Sequence, residues 1–220
     1  MIDKAYFGFV QYHTYSCERV LWCIAINTLN EFPTFRGKLV SLRQLQYKDI
    51  HTMPRLVTTH VVQYLVHMPY PYGREDARRF INKSRRNFRL KKELNFAIDL
   101  IENDNLVGVI SLQKIDNINK SGQIGYWVGK NYWNMGLASE SINLVINYAF
   151  LVLKLHKVYA NVLTTNRASI RVLEKNGLKK EGILRDSIYK FDKFFDVVLY
   201  YKLNSWPNSS RQLHSSRMRE

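Results

Sequence analysis

The chain is predicted to adopt a mixed α/β fold, and three features of the sequence carry that expectation. Strand-like and helix-like segments alternate from residue 39 to about 205, a polar turn separates two apolar runs at 102–105, and Gly136–Leu153 holds one apolar stripe over about five helical turns. Leu39–Leu45 alternates as a first strand does, and Asp49 then opens a helix that Pro54 complicates. Residues 74–92 hold nine cations (Arg74, Arg78, Arg79, Lys83, Arg85, Arg86, Arg89, Lys91, Lys92), with Ala77, Phe80 and Ile81 at helical spacing, which describes an amphipathic helix with a basic outer face.

Leu94–Ile101 and Leu106–Ile115 follow as strands, joined by the turn residues Glu102, Asn103, Asp104 and Asn105. After a polar loop from Asp116 to Ser121, Gln123–Gly129 reads as a strand with Ile124, Tyr126 and Val128 on one side, broken at Gly129, Lys130 and Asn131. In the long helix, Ala138, Ile142, Val145 and Ala149 form the stripe, flanked by Leu137, Ile146, Phe150 and Leu153. A strand over His156–Leu163, a helix over Arg167–Lys175 ended by Asn176 and Gly177, and strands over Leu178–Leu184 and Phe194–Leu203 complete the order.

Of the 220 residues, 46% are hydrophobic and 23% charged, enough apolar content for one sizeable core. The expected organisation is a single domain over 39–205. An aromatic N-terminal extension of unassigned role (1–38) precedes it and a loose, polar, basic tail (206–220) follows. Lys and Arg number 33 against 18 Asp and Glu, a formal charge of +15 with a pI near 9.8, which favours an anionic partner or cofactor. No apolar run approaches the roughly 20 residues of a membrane helix. The longest near the start, Val20–Ile26, lacks a small-residue cleavage site, so a cytoplasmic chain without a membrane span is expected. Cys17 and Cys23 are too few to staple a chain of this size, and the histidines (His13, His51, His60, His67, His156, His214) show no metal-ligand spacing, so no metal is expected.

The stretch between the central strand and the long helix carries the chemistry. A helix leaves its first N–H groups unpaired and presents the positive end of its dipole, so a strand that stops just before one, bridged by small residues, forms an anion site. Here the bridge is Trp133, Asn134, Met135, Gly136, Leu137 and Ala138. Gly136 lets a ligand approach the backbone, and Asn134 tolerates the left-handed conformation that a nest of N–H groups needs. No Lys-Ser or Lys-Thr follows Gly136 and no G-x-G-x-x-G opens a βαβ unit, which argues against nucleotide-triphosphate hydrolysis and dinucleotide binding.

Several ordered blocks resemble the GNAT superfamily of acyl-CoA-dependent N-acetyltransferases, in particular its RimJ/RimL-like branch. Gln123–Gly129 is similar to that branch's central strand and Tyr132–Glu140 to its pyrophosphate loop; Asn166–Leu178 is similar to the helix that follows, and Glu181–Asp186 to the next strand. The resemblance spans roughly 39–205 and implies a twisted, mostly antiparallel sheet of six to seven strands, splayed at the middle and flanked by helices on both faces. It implies acetyl-CoA as cosubstrate. Val128, Gly129 and Lys130 would take the pantetheine arm, and Asn134, Met135, Gly136, Leu137, Ala138 and Ser139 the phosphates. Asn166 and Ser169 would face the pantetheine and thioester, and Tyr126 would line the acceptor groove.

The implied reaction is acetyl transfer to a primary amine by direct attack in a ternary complex. Three positions depart from the pattern. Many members carry a carboxylate where Gln123 stands, and a tyrosine often proposed as acid is replaced by Leu173, which leaves Ser169 as the local proton donor. Some RimL-like members have a carboxylate two residues beyond Asp186, where this chain has Ile188. The acceptor expected from the resemblance and the positive charge is a protein N-terminal amine of the ribosomal-protein type. The alternatives are a small-molecule amine or a non-catalytic module that contacts RNA through the basic 74–92 segment. Monomer and homodimer both remain open.

Overall fold

The computed structural model describes residues 31–66 and 68–205. Val20–Ile26, Cys17, Cys23, His13, His67, His214 and the 206–220 tail lie outside the described residues. Eight strands form one sheet: β1 (Phe35–Arg36), β2 (Val40–Gln44), β3 (Leu94–Leu100), β4 (Leu106–Asp116), β5 (Ser121–Val128), β6 (Lys157–Leu163), β7 (Lys179–Lys190) and β8 (Lys193–Leu203), in the order β1-β2-β3-β4-β5-β6-β8-β7. Every neighbouring pair is antiparallel except β5 and β6. Among the described residues five helices accompany them: α1 (Met53–Leu56), α2 (Thr59–Val62), α3 (Arg74–Arg89), α4 (Leu137–Leu151) and α5 (Arg167–Lys175).

The seven expected strands are present and the two-residue β1 adds an eighth. The main difference lies at 185–193, where β7 and β8 run on as a long hairpin beyond Leu184. Its outer half is largely exposed, so no buried face imprints a period of two on the sequence. Asp49 does not open a full helix: Tyr47–His51 is a single 3-10 turn, and Pro54 sits in the first turn of α1, where a missing N–H costs nothing. The basic helix closes at Arg89 rather than at Lys92, because Lys91 takes a left-handed backbone at φ 55.

Alternation along the strands divides the core between the two faces of the sheet. Phe96, Ile98, Ile110, Leu112 and Ile124 pack against α4, whose Ile142, Val145 and Ala149 have no exposed surface. Ala97, Val109 and Trp127 point the other way, onto Ile50, Met53, Val61, Ala77 and Ile81 from the 3-10 turn and α1–α3. Two polar clusters tie these layers together. The Glu140 carboxylate, in the first turn of α4, accepts from the backbone N–H groups of Lys38, Leu39 and Val40 at 2.7, 2.8 and 2.9 Å and so fastens the β1–β2 turn to the helix entrance. A side chain at Gly37 would collide with that carboxyl group at 2.6 Å.

On the opposite face Arg43 bridges two buried carboxylates. Its guanidinium donates to Asp99 at 2.6 and 3.1 Å and to Asp49 at 2.8 and 2.9 Å, which links β2 to β3 and to the 3-10 turn. Burial works to lower the Arg43 pKa, but the hydrogen bonds and charges of Asp49 and Asp99 together push it above its usual value. One cation facing two carboxylates leaves the cluster negative, and burial holds the Asp99 carboxyl above its ordinary range. Replacing Arg43 by Leu strands both carboxylates and is expected to cost about 3–5 kcal/mol in urea unfolding at neutral pH. Without the Arg43 charge the Asp99 carboxyl is raised further in the folded variant, so part of that loss should be recovered as pH falls toward about 4; an equal loss at both pH values would contradict this account of the cluster.

Candidate active site

The site begins where β5 and β6 part. Their parallel pairing covers only Ser121–Gln123 against Lys157–Tyr159, after which β5 continues along β4 and β6 along β8. From Ile124 to Val128 the edge of β5 facing β6 has no strand partner. Gly129 donates to Val107 of β4 at 2.8 Å. Strand alternation therefore turns the N–H and C=O of Val128, and those of Tyr126 two residues back, into the wedge. The Val128 carbonyl accepts the Trp133 indole N–H at 2.7 Å, which folds the following loop back across the end of β5.

That loop delivers the entrance of α4. Asn134 has φ 63 and Gly136 φ 80, both left-handed, and no side chain caps the helix. The first helical bond is Glu140 N–H to the Gly136 carbonyl at 3.0 Å, so the N–H groups of Leu137, Ala138 and Ser139 are unpaired within the helix. The Ser139 hydroxyl accepts from Asn176 Nδ2 at 3.0 Å, latching the end of α5 to the start of α4. At the other end of α5, the Asn166 side chain accepts the Ser169 N–H at 3.1 Å as an N-cap. Tyr126 reaches across the wedge, with its hydroxyl 2.6 Å from Ser169 Oγ. Burial pushes the Tyr126 phenol up to about 12, against the pull of Ser169, so it is neutral at physiological pH.

These groups line one cleft of about 430 Å³. Tyr126, Val128, Asn134, Gly136, Leu137, Ala138, Ser139, Asn166 and Ser169 all border it. Three of the expected residues do not. Gly129 is buried in the turn, Met135 is half exposed on the outside of the loop, and the Lys130 ammonium lies 2.9 Å from His60 Nε2 at the surface. Two residues that sequence reasoning missed also line it, Arg171 and Lys175. Their i, i+4 spacing on α5 was the available signal, for it places two cations on one face of the helix below Asn166 and Ser169. Val61, Tyr64 and Leu65, in and just after α2, close the other wall. Lys190 from the β7–β8 hairpin holds that wall in place, donating to the carbonyls of Val62 at 2.6 Å and Leu65 at 2.5 Å; burial lowers its pKa.

A splayed sheet with an uncapped helix entrance and two cations at the splay defines a protein that holds a long, phosphate-bearing ligand along an open strand edge. Residues 40–179 match the acetyltransferase (GNAT) domain, and the chain belongs to this family. It is 37% identical over 118 residues to the probable N-acetyltransferase YjcK of Bacillus subtilis, covering 53% of this chain and 65% of YjcK, under two thirds of that relative's length. The B. subtilis N-acetyltransferase YoaA is 28% identical over 169 residues, 77% of this chain and 96% of YoaA. A crystal structure of a GNAT-family acetyltransferase from Bacillus anthracis superposes with a TM-score of 0.68 at 27% identity, covering 77% of this chain and 98% of that one. Two further relatives have named acceptors. The Escherichia coli ribosomal-protein-serine acetyltransferase is 29% identical over 47% of this chain and 58% of its own length. The Vibrio cholerae spermidine N(1)-acetyltransferase is 25% identical over 76% of this chain and 94% of its own length.

The cleft has the features that acetyl-CoA, the acyl donor expected from the family resemblance, would engage. The left-handed nest and free N–H groups at Gly136–Ser139 match a diphosphate, and the open β5 edge matches the amides of a pantetheine arm. Any side chain at Gly136 has to adopt φ 80, although a Cβ there meets nothing closer than Leu39 Cδ1 at 3.5 Å. Gly136→Ala is thus expected to strain the loop rather than crowd it. It should weaken acetyl-CoA binding about tenfold, with a stability loss of about 1 kcal/mol. The double change Arg171→Gln, Lys175→Gln should weaken binding by a similar factor, more at low salt than at high salt, with the melting temperature unchanged. Calorimetry at two ionic strengths checks both.

Proposed function

We propose that the protein transfers an acetyl group from acetyl-CoA to a primary amine by direct attack in a ternary complex, and that its acceptor is the α-amine of a polypeptide N-terminus, as in the ribosomal-protein type. The charge of the cleft carries the choice of acceptor. Its lining includes Arg171 and Lys175 and, among the described residues, no carboxylate. A polyamine presents several ammonium groups and requires acidic walls. A peptide N-terminus presents one amine and neighbouring side chains that the Val61, Tyr64 and Leu65 wall can cover.

In this reading the amine nitrogen attacks the thioester carbonyl carbon, the C–S bond breaks, the amine gives up a proton and the departing thiolate takes one. Holding both reactants in one cleft supplies several kcal/mol of the barrier. The wedge-facing Val128 N–H is placed to hydrogen-bond the carbonyl oxygen as negative charge builds on it. Ser169 passes a proton to sulfur and takes one back from water, which has received the amine's proton, so the serine ends as the neutral hydroxyl it began as. Tyr126, kept protonated by burial, lies 2.6 Å from Ser169 Oγ and 3.3 Å from the Ser169 carbonyl; in this reading its O–H is the donor of the pair, which leaves the serine O–H for the ligand, while Asn166 fixes the backbone from which Ser169 projects. With Gln123 on the central strand and no carboxylate on the cleft wall, the amine proton passes to water.

Ser169→Ala should lower kcat about 100-fold, and Tyr126→Phe by a smaller factor, with KM for acetyl-CoA unchanged in both. Because the two act as a unit, the double variant should be no slower than Ser169→Ala alone. The pH dependence of kcat/KM should follow the acceptor, rising through a pKa of about 8 for an α-amine rather than about 10 for an alkyl amine. Thiol release measured with a panel of N-terminal peptides and spermidine tests the acceptor class. A preference for spermidine overturns the peptide assignment, and release with no amine overturns the transferase reading.

A further inference from the structure

We propose that the end of the sheet opposite the cleft is a docking surface for the phosphate backbone of a nucleic-acid duplex. The sheet register defines that end. The start of β3, the end of β4, the start of β5, the start of β6 and the end of β8 meet there, through the pairs Leu94↔Leu112, Asp116↔Ser121, Ser121↔Lys157 and Lys157↔Leu203. The C-terminus of α3 arrives at the same end, where Lys92 accepts the Ile115 N–H at 3.2 Å. The cleft lies at the other end, beyond Val128. The basic surface is therefore wider than the 74–92 helix and is assembled from segments distant in sequence.

Arg86, Arg89, Lys91, Lys92, Lys114 and Lys120 are exposed at this end, and none has an ion-pair partner among the described residues. The carboxylates nearby are occupied. Asp116 accepts the backbone N–H groups of Ile118 and Asn119, Glu93 accepts from Asn87, and Glu181 pairs with Lys157. The turn conformations provide a second, independent observation. Lys91, Lys114, Lys120 and Lys154 all have positive φ, between 50 and 55. Toward the cleft end and the hairpin tip, the non-glycine residues with positive φ are Asp104, Asn134, Asp186, Phe191 and Asp192. Glycine or asparagine adopts this backbone at lower cost than lysine. At the basic end four of the left-handed positions are lysines and one, at the entry to β7, is Gly177, whereas toward the cleft end and the hairpin tip none is a lysine.

A band of cations along strand ends spaced about 5 Å apart matches a phosphate backbone. Of the exposed rings among the described residues, Tyr189, Phe191 and Phe194 are on the hairpin tip, and the one nearest this end, Tyr47 just past β2, is covered by the Arg85 guanidinium and hydrogen-bonded to Asn82 rather than open to a stacking base. This surface does not depend on the acetyl-transfer reading, and its test leaves the cleft intact.

The experiment compares the full chain with the triple variant Lys91→Asn, Lys114→Asn, Lys120→Asn, in which asparagine suits the left-handed turns and preserves the fold. A charge-matched control, Lys38→Gln, Arg55→Gln, Lys193→Gln, removes three cations from the cleft end. Binding to short mixed-sequence RNA and DNA duplexes, to the corresponding single strands and to anionic lipid vesicles is measured over a salt series. The expected result is duplex binding whose log–log salt slope falls by about 3 in the triple variant, with affinity reduced about tenfold or more at low salt and little change in the control. Equal losses in the triple variant and the control would overturn the proposal, as would preference for single strands or vesicles, or no duplex binding by the unmodified chain. Unchanged thermal unfolding of the triple variant confirms that a loss is not misfolding.

Discussion

The structure depends on two hydrogen-bond ladders that part company and leave an unpaired edge between neighbouring strands. β5 spends one edge on β4 along most of its length, and β6 spends one edge on β8 over all seven of its residues. The two meet only at Ser121–Gln123 against Lys157–Tyr159. Beyond Gln123 each follows the course of its outer partner, and the edges the two strands turn toward each other are left without a strand partner. An open strand edge inside a protein is normally a liability. Here it is sheltered between α4, α5 and the α2 wall, where an extended ligand can supply the missing bonds.

The loop at the mouth of the wedge is braced from three directions. Trp133 ties it to the end of β5, Glu140 ties the helix it leads into to the β1–β2 turn, and Ser139 ties the same helix to Asn176 at the end of α5. Such bracing matters because unpaired N–H groups at a helix entrance bind an anion well only when they are held in place before it arrives. The strain of φ 63 at Asn134 and φ 80 at Gly136 is borne by residues that tolerate it. Charge then divides over the molecule: two cations face the cleft from α5, while a larger set gathers at the far end of the sheet.

Where the sequence was legible, burial had marked it. β3 and β4 face cores on both sides and read as apolar runs bounded by turn residues, and α4 carries one continuous apolar stripe at helical period. The outer half of the β7–β8 hairpin faces solvent and carries no such mark, and its length was missed. The Gly136 turn could be read because glycine and asparagine signal left-handed backbone locally. The i, i+4 spacing of Arg171 and Lys175 puts both on one face of α5, but nothing local says that this face overlooks a cleft.

The sequence by itself determined the order of elements, the helix entrance with its conformational specialists, and the excess of positive charge, because each is fixed by residues near one another along the chain. Only the tertiary structure decided that Tyr126 meets Ser169, that Lys190 secures the α2 wall, and that lysines from separate turns share one end of the sheet. Those contacts join residues dozens of positions apart, and they are set by strand register and layer packing, which no local pattern encodes.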